Sequence, residues 1–338
     1  MIQSSKKEMG GKKILITGIT GFVGSHLADL ALRENARVYG LKRWHLSKLR
    51  NIRHIADRIE LFDCDLTDPI GIEKVITQIK PDWVFHLAAE SFVSPSWDHP
   101  THYMNVNYNG TVHLLEALRR TSPKTRILLP GSGEEYGEVD KQDLPIVDKT
   151  LLQPVNPYAV TKIAQDLIGY VYYKSYGLPV IRTRAFNHEG PRRDNVFGIS
   201  WYAYQIARIE YGKQAPIIET GERSDERNFT HIKDLVAAYW LAIQKCQPGK
   251  LYLIGSDEQD HIFTFDQALD QLIALSTYRK PMKKVINNKF VRPTSVPRLI
   301  GDTSDFRTLT GWKPEIAFET ILNDTLNYWR EFIRNEWY

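Results

Sequence analysis

A tyrosine and a lysine four residues apart stand at the start of a predicted helix. Asn156 is a good helix N-cap and Pro157 suits the first helical position, so Tyr158 is expected in the first turn. Lys162 follows on the same helix face. The lysine ammonium and the positive helix end both favour a phenolate at Tyr158. The pair therefore predicts a tyrosine acid/base that works near neutral pH.

The same spacing occurs a second time, at Tyr170 and Lys174. Tyr170 is expected about 18 Å further along the same helix and about a third of a turn around from Tyr158. The two tyrosines cannot share one pocket. We therefore interpret the second pair as ordinary helix surface.

A predicted strand runs into residues 130–137, which carry a hydroxyl and two carboxylates. If the backbone is still extended there, Ser132 and Glu134 point to one face and Glu135 to the other. A hydroxyl at this place is suited to hold a substrate oxygen beside Tyr158, and a carboxylate two residues later is suited to move a carbon-bound proton. The alternative for Glu134 is a solvated carboxylate in a loop.

A glycine-rich run leads from the first predicted strand directly into a helix. It reads Gly18-Ile19-Thr20-Gly21-Phe22-Val23-Gly24. Glycines here permit a tight turn, a close approach of the backbone to a pyrophosphate, and packing of the helix on the strand. The helix N-terminus then offers free N–H groups to phosphates. This position predicts a dinucleotide site, and the alternative is a purely structural turn.

The end of the second predicted strand indicates which dinucleotide is bound. An acidic residue there would favour NAD, but this chain has Lys42 and Arg43. An arginine pairs with a ribose 2′-phosphate and stacks against adenine. We therefore predict NADP, with Arg43 as its contact. The alternative is that both cations decorate an exposed loop.

Short β-rich segments alternate with amphipathic helical segments through the first half of the chain. This alternation predicts an α/β fold, a Rossmann-type doubly wound parallel sheet. The run Ile14-Leu15-Ile16 suits a strand buried on both sides. The predicted strands span residues 12–17, 36–41, 58–62, 82–87, 125–129, 178–184 and 251–254. The predicted helices include residues 25–35, 107–120, 157–175 and 199–211.

After residue 185 the alternation gives way to loops rich in Arg, Gly and Pro. We assign residues 11–185, with a returning segment near 227–256, to an NADP-binding Rossmann domain. Residues 186–226 and 257–338 are assigned to a smaller, discontinuous C-terminal substrate domain. We expect this domain over the carboxyl ends of the strands, where ligands of open α/β sheets bind.

Composition and charge argue against several other classes of protein. The 338 residues carry a formal net charge of +4, and Lys and Arg do not cluster as in nucleic-acid-binding proteins. Cys64 and Cys246 lack metal-ligand spacing and are expected as free thiols in a reducing compartment. His99 and His102, in a loop expected at residues 98–103, have no completing ligand, so no metal site is expected. No Gly-x-Ser-x-Gly motif supports a hydrolase.

Together, these motifs resemble those of extended short-chain dehydrogenases/reductases: the glycine run, Leu87-Ala88-Ala89-Glu90-Ser91, residues 132–137 and the Tyr158/Lys162 pair. Further segments resemble the GDP-mannose 4,6-dehydratases within that superfamily, and the resemblance runs from about Lys12 to Trp329. These segments are Phe186-Asn187-His188-Glu189-Gly190-Pro191-Arg192-Arg193, Ala207-Arg208-Ile209, Arg227-Asn228-Phe229, Arg292-Pro293-Thr294-Ser295-Val296, Leu299-Ile300-Gly301-Asp302 and Thr310-Gly311-Trp312-Lys313-Pro314.

The resemblance implies an NADP-dependent 4,6-dehydration of a GDP-sugar, either GDP-mannose or a GDP-manno-heptose. Tyr158 takes the sugar O4 proton while C4 gives hydride to NADP, and Ser132 holds O4. Glu134 then removes the C5 proton as water leaves C6, hydride returns from NADPH to C6, and C5 is reprotonated. The product is a 4-keto-6-deoxy sugar nucleotide, and the cofactor is regenerated in each turnover.

The resemblance also implies a set of binding residues, of which the arginines suit phosphates because their planar fork holds two oxygens at once. The alternative for each arginine is a surface salt bridge. The implied cofactor contacts are Gly18, Thr20, Gly21, Phe22, Val23, Gly24, Arg43, Asp65, Leu66, Leu87, Ala88, Ala89, Tyr158, Lys162, His188 and Arg193. The implied substrate contacts are Ser91, Asn187, Arg227 and Arg292.

Three residues depart from the dehydratase pattern. Ser132 stands where threonine is usual, and Gly133 and Gly190 stand where serine is common. Ser132 keeps the hydroxyl, but sugar specificity stays open. GDP-4-keto-6-deoxymannose reductases share much of the same pattern, so such a reductase is the main alternative and a nucleotide-sugar 4-epimerase the next. A non-enzymatic NADP sensor or scaffold is a further alternative, against which the retained Tyr158/Lys162 pair argues.

Assembly and location complete the expectations. Enzymes of this resemblance often pair the helices predicted at residues 107–120 and 157–175 between subunits, so we expect a homodimer, with a homotetramer as the alternative. Residues 1–11 are polar and lack the apolar core of a signal peptide. No apolar stretch approaches the length of a membrane span. We therefore expect a cytoplasmic protein without membrane contact.

Overall fold

The structure is a computed structural model that describes residues 11–257 and 259–335, apart from the side chain of His45. The polar segment of residues 1–10 lies outside the described residues. The strands in chain order are β1 (Lys13–Thr17), β2 (Arg37–Lys42), β3 (Glu60–Asp63), β4 (Trp83–His86), β5 (Arg126–Ser132), β6 (Val180–Ala185), β7 (His188–Glu189), β8 (Ile217–Thr220), β9 (Glu226–Asn228), β10 (Thr230–His231), β11 (Leu251–Ile254), β12 (Ile262–Thr264), β13 (Lys283–Ile286) and β14 (Arg298–Leu299).

The α-helices alternate with the first strands and dominate the last third of the chain. In chain order they are α1 (Phe22–Arg33), α2 (Pro69–Ile79), α3 (Pro100–Met104), α4 (Gly110–Thr121), α5 (Pro157–Tyr176), α6 (Gly198–Glu210), α7 (Ile232–Lys245), α8 (Phe265–Ala274), α9 (Ser304–Thr310) and α10 (Phe318–Arg334). Residues 105–109 form a π-helical turn that joins α3 to α4, and Arg50–Arg58 is a 3₁₀ helix.

A seven-stranded parallel sheet has the order β11-β6-β5-β4-β1-β2-β3. Alternate residues of β1 face opposite sides, as the two-residue period of a strand requires. Ile14 and Ile16 pack with α1 and α7, whereas Leu15 packs with α2 and α4. All three side chains are fully buried, so the sheet is covered by helices on both faces. The predicted doubly wound α/β fold is confirmed.

The prediction of a loop at residues 98–103 is wrong. Pro100 stands at the first position of α3, where its missing N–H costs nothing. The helical path then continues through the π-helical turn into α4, so it begins seven residues before the predicted start at Asn107. Likewise, α1 begins at Phe22 rather than at Ser25, because the glycine run leads straight into it.

A second core lies in the C-terminal part of the chain, among α6, α8 and α10. The apolar stripe of α10 follows helical spacing through Ile321, Leu322, Leu326 and Trp329, and the Trp329 indole N–H donates to Ser200 Oγ at 2.8 Å. Strand β11 returns to the main sheet beside β6, as predicted for residues 251–254. Residues 306 and 312 pack with the main sheet core although the predicted boundary puts them in the other domain. The domain boundaries stay a prediction.

Candidate active site

The site lies at the carboxyl edge of the sheet, where β5 turns away from its neighbours. Ser132 is the last residue of β5 and pairs with Ala185 of β6. Residues Gly133–Tyr136 form a 3₁₀ turn capped by Ser132, whose Oγ accepts the Glu134 N–H at 3.2 Å. The backbone is therefore not extended beyond Ser132, so the condition for Ser132 and Glu134 to share a strand face is not met. A capping box fixes the turn instead, because the Glu135 carboxylate accepts the Ser132 N–H at 2.7 Å.

The start of α5 brings Tyr158 to this turn. Asn156 Oδ1 accepts the Ala159 N–H at 2.8 Å, which confirms the predicted N-cap, and Pro157 occupies the first helical position. Asn156 Nδ2 also donates to Glu134 Oε2 at 3.0 Å. The Tyr158 phenol and the Ser132 side chain lie close enough for Ser132 to lower the pKa of the phenol. The structure thus gathers Ser132, Glu134 and Tyr158 at one point.

The electrostatics of Tyr158 differ from the expectation that its phenolate is favoured. Burial raises the pKa of Tyr158 well above its usual range, and the charges of Glu134 and Glu135 raise it further. The nearby Ser132 side chain and the charge of Arg193 lower this pKa but do not outweigh burial.

Lys162 is a buried residue that lines the cleft. Its Nζ donates to Gln165 Oε1 at 2.8 Å, and the residue is 5% exposed. Burial lowers the pKa of Lys162 to about 8, while the carboxylates of Glu135 and Asp166 oppose that fall. Lys162 therefore lies on the predicted face of α5, but its direct partner is a glutamine that the sequence analysis did not single out.

The second pair with this spacing, Tyr170 and Lys174, lies outside the site, as predicted. Tyr170 is exposed on α5 and its ring is 5.1 Å from the Arg182 guanidinium. Among the described residues, those that line the cleft do not include Tyr170 or Lys174. The interpretation of this pair as helix surface is confirmed.

The glycine run fits the backbone geometry of a dinucleotide site. Gly18 has φ +69°, and a Cβ there would lie 2.8 Å from the Ala88 backbone nitrogen. A Cβ on Gly24 would lie 2.3 Å from the Gly18 oxygen. No side chain caps α1 at Gly21, so its first N–H groups open into the cleft beside an unobstructed glycine turn. These are the features that a pyrophosphate at a helix N-terminus requires.

Arg43 stands at the cleft mouth with 49% of its side chain exposed. Its guanidinium is 3.6 Å from Glu90, and its backbone N–H donates to Ser47 Oγ at 2.8 Å. Lys42 is different, because its ammonium pairs with Asp63. Arg43 and Ser47 together therefore offer a cation and a hydroxyl to an anionic group. Ser47 was not predicted, since nothing in its local sequence marks it.

The cleft has a volume of about 450 Å³ and collects nearly all of the predicted site residues. Those that line it are Gly18, Thr20, Gly21, Phe22, Val23, Gly24, Arg43, Asp65, Leu66, Leu87, Ala88, Ala89, Ser91, Ser132, Glu134, Tyr158, Lys162, Asn187, His188, Arg193 and Arg292. Arg227 is the exception. It is buried behind the lining and donates to the Glu226 carbonyl at 2.9 Å and to Asp225 at 3.4 Å.

Two further groups in the cleft were missed by sequence reasoning. Glu189 is buried, and its carboxylate lies 3.2 Å from Arg193 Nε. Burial raises the pKa of Glu189 to about 7, whereas Arg193 lowers it. The Arg193 guanidinium lies 3.9 Å from the Phe197 ring, and His188 stacks on Phe22 at 5.9 Å. Arg193 is thus positioned by Glu189 and Phe197, which lie four residues before and after it in the chain.

Within the described residues, no helix combines the length and apolar character needed to cross a membrane. Cys64 and Cys246 are both free and buried, as predicted.

Comparison with known proteins agrees with this geometry. The family model of GDP-mannose 4,6 dehydratase matches residues 15–325. A GDP-mannose 4,6-dehydratase of Yersinia enterocolitica is 31% identical over 344 residues, covering 92% of this chain and 91% of that protein. A GDP-6-deoxy-D-mannose reductase of Pseudomonas aeruginosa is 29% identical, covering 96% and 99%. The solved structure of RMD from Pseudomonas aeruginosa complexed with NADPH superposes with a TM-score of 0.81 at 27% identity, covering 95% and 99% of the chains. The chain belongs to the GDP-mannose 4,6 dehydratase family.

Proposed function

We propose that this protein is an NADP-dependent 4,6-dehydratase of a GDP-sugar, either GDP-mannose or a GDP-manno-heptose. One observation carries the proposal: Glu134 shares a turn with Ser132, lies beside Tyr158 and is held by Asn156 at 3.0 Å. Dehydration needs a base for the C5 proton in addition to an acid/base at O4. The reduction of a 4-ketone needs only the acid/base at O4.

The cofactor assignment rests on the cleft's own residues. The open N–H groups at the start of α1 suit the pyrophosphate, and Arg43 with Ser47 suits a 2′-phosphate. Asp65 and Leu66 line the same end of the cleft, and Lys162 lies beneath Tyr158. When bound, NADP supplies the hydride acceptor for sugar C4 and the hydride donor for C6.

Each catalytic side chain has a defined proton task. Tyr158 takes the proton from sugar O4, and the nearby Ser132 hydroxyl holds that oxygen. Glu134 removes the C5 proton, made acidic by the neighbouring 4-ketone, and the C6 hydroxyl takes up a proton and leaves as water. C5 regains a proton when hydride is returned to C6. Burial raises the pKa of Tyr158, Ser132 and Arg193 lower it, and the positively charged nicotinamide ring of bound NADP would lower it further.

Several groups are placed to hold the nucleotide sugar. Ser91, Asn187 and Arg292 line the cleft beside the catalytic turn. Arg227 lies close enough to Glu134 and Arg292 for their charges to affect it. We propose that Arg292 contacts the diphosphate directly, and that Arg227 reaches it only if the Asp225 contact opens.

A reductase of a GDP-4-keto-6-deoxy sugar is the second candidate, and the relative named as a GDP-6-deoxy-D-mannose reductase favours it. The two activities differ in stoichiometry, because a reductase consumes NADPH and a dehydratase shows no net oxidation. A 4-epimerase does not remove the C5 proton, so it would not need the base that Glu134 provides, and this argues against epimerisation. A binding scaffold is excluded if Tyr158→Phe abolishes turnover while the affinity for NADPH stays unchanged.

We further propose a cytoplasmic homodimer, with a tetramer as the alternative. The outer face of α5 exposes Val160, Leu167, Tyr170 and Val171, each at 40% or more. Apolar side chains repeated along one helix favour a subunit contact. The free, buried thiols of Cys64 and Cys246 support a reducing compartment.

The deciding experiment incubates purified protein with GDP-mannose, without added reductant, and follows the sugar nucleotide by mass spectrometry. A product lighter by one water molecule, with no net change in NADPH, supports the dehydratase. If GDP-mannose and a GDP-manno-heptose are both unchanged, while GDP-4-keto-6-deoxymannose is reduced at the expense of NADPH, the dehydratase proposal is wrong and the protein is a reductase.

A further inference from the structure

A buried ionic network lies directly behind the catalytic turn and joins three elements. Arg184 of β6 donates from Nε to Glu135 at 2.6 Å, from Nη1 to the Tyr136 hydroxyl at 2.9 Å, and from Nη2 to Asp166 at 2.7 Å. Asp166 of α5 also receives two hydrogen bonds from Arg182, at 2.6 and 2.8 Å. All these side chains are at most 10% exposed.

Glu135 is the member of this network that touches the catalytic turn. One carboxylate oxygen accepts the Ser132 N–H, and the other accepts Arg184 Nε. The approach is close, since a Cβ on Gly131 would lie 2.4 Å from Glu135 Oε1. The glycine at that position leaves room for the carboxylate to fold back under the strand end. The position of Ser132 is therefore fixed by the hydrogen bond from its backbone N–H to the Glu135 carboxylate.

The network also reaches Lys162. The Lys162 ammonium is held by Gln165, which precedes Asp166 on α5 and donates to the Pro130 carbonyl at 3.4 Å. Glu135 and Asp166 are the acidic groups whose charges act on Lys162. The neighbouring His86 is kept neutral by burial and by the Lys162 charge itself, so it does not add a second cation.

We propose that Glu135 is a positioning residue: it fixes the turn carrying Ser132 and Glu134, and its carboxylate, with that of Asp166, supplies negative charge around the buried Lys162 ammonium. The part that concerns turnover rests on the proposed function, whereas the part that concerns Lys162 does not. The network contains two carboxylates, Glu135 and Asp166, and two guanidiniums, Arg182 and Arg184. Lys162 is a third cation nearby, and the charges of Glu135 and Asp166 act on it.

The charge of Glu135 decides the direction of the effect. Burial raises the pKa of Glu135, while the guanidinium of Arg184, the Ser132 N–H and Lys162 lower it. A nearby carboxylate stabilises an ammonium, and its loss leaves an excess of positive charge in a buried space. Replacing Glu135 by glutamine must therefore lower the pKa of Lys162. Replacing it by aspartate keeps the charge but shortens the side chain by one methylene, so the pKa must fall by less.

The test follows lysine titration in the whole protein without ligand. Lysine side chains labelled with ¹³C at Cε are titrated by NMR, and the Lys162 signal is assigned by its loss in Lys162→Met. We expect its midpoint to fall by about one pH unit in Glu135→Gln and by a smaller amount in Glu135→Asp. Glu210→Gln is the matched control, because Glu210 is 4% exposed and pairs with Arg330 in the second core. It should destabilise the fold and leave the Lys162 midpoint unchanged.

Turnover supplies the second measurement. Glu135→Asp keeps a charge but cannot span both Ser132 and Arg184, so kcat should fall at least about tenfold while KM for the sugar nucleotide changes little. An unchanged Lys162 midpoint in Glu135→Gln overturns the proposal, as does a shift of equal size in Glu210→Gln. If Glu135→Gln does not fold, the comparison of wild type with Glu135→Asp still tests the proposal: the Lys162 midpoint should be higher in the wild type, and equal midpoints overturn the proposal. If the wild type turns over neither GDP-sugar, the proposed function fails, but the lysine titration is unaffected.

Discussion

The Asn156 side chain joins Glu134 to the start of α5: its Nδ2 donates to the Glu134 carboxylate at 3.0 Å while its Oδ1 caps the helix at 2.8 Å. Both groups of one amide are therefore used, one for the helix and one for the catalytic turn. Because Tyr158 follows two residues later, this single amide sets where Glu134 stands relative to the phenol. The carboxylate is thus held within the site and is not a solvated loop residue.

Glu134→Gln should stop the proposed reaction after oxidation at C4. The amide keeps the shape of the side chain but cannot take the C5 proton, so water loss should slow by at least about 100-fold. In a single turnover, the absorbance of the reduced nicotinamide measures oxidation at C4, and mass spectrometry of the sugar measures the loss of water. Reduced cofactor without loss of water is the expected result. Dehydration at the wild-type rate would remove Glu134 from the mechanism.

Asn156→Ser separates the two uses of the Asn156 amide. Serine is an equally good N-cap, so α5 and the thermal midpoint should change little. Its hydroxyl is too short to reach Glu134 from the same place, and kcat should fall about tenfold or more. A variant with unchanged kcat would mean that Glu134 needs no support from the helix cap.

Arg43→Ala should weaken NADPH binding about 10- to 100-fold, the loss expected for charge-assisted hydrogen bonds to a phosphate. NADH lacks that phosphate, so its affinity should hardly change. Fluorescence titration with each cofactor measures the two constants. Arg53→Ala is the matched control, since Arg53 is an exposed arginine outside the cleft lining. Equal losses for NADPH and NADH would show that Arg43 does not recognise the 2′-phosphate.

Leu167→Glu combined with Val171→Glu should convert the proposed dimer into monomers. These side chains are 48% and 43% exposed on the outer face of α5, and two buried carboxylates would face each other across a symmetric contact. Light scattering after gel filtration gives the mass. Ile70→Glu is the control, because Ile70 is 80% exposed on a different helix. A monomeric wild type, or a double variant that stays dimeric, would contradict the assignment of this face.

Local rules explain why parts of the site were predictable from sequence. Asn156, Pro157, Tyr158 and Lys162 follow from capping and helical spacing, which act over a few residues, and the structure places them as expected. The turn after Ser132 also carried a local signal that the sequence analysis did not use, since Ser132 and Glu135 have the Ser-x-x-Glu spacing of a capping box. The contact of Glu135 with Arg184 was not predictable in the same way, because Arg184 lies 49 residues away in the chain.

The protonation state of Tyr158 shows the same limit. The helix end and Lys162 are visible in the sequence, but the burial of the phenol and the approach of two carboxylates arise only in the folded chain. Glu189 reaches Arg193 within four residues, so the spacing was present. The raised pKa of Glu189 comes from its burial, which the local sequence does not indicate.

His86 should make the folded protein sensitive to acid. Its ring is 2% exposed and hydrogen-bonds with the hydroxyls of Thr17 and Thr111, both at 3.0 Å. Burial, followed by the charge of Lys162, lowers the pKa of His86 to about 3. An unfolded histidine titrates near pH 6.5, about as a model peptide does. Below that pH the unfolded chain binds a proton that the folded chain does not accept.

The contribution of His86 to stability is therefore complete above about pH 6.5 and is lost as the pH falls towards about 3, by about 1.4 kcal/mol for each pH unit. In His86→Gln the amide cannot titrate, so the free energy of unfolding should fall less steeply between about pH 6 and pH 4.5, even though the variant is less stable at neutral pH. Urea unfolding at a series of pH values measures the slope. His99→Gln, which changes an exposed histidine, should keep the wild-type slope. Parallel curves for wild type and His86→Gln would mean that the buried ring accepts a proton without unfolding, which the two threonine hydroxyls and the nearby ammonium of Lys162 oppose.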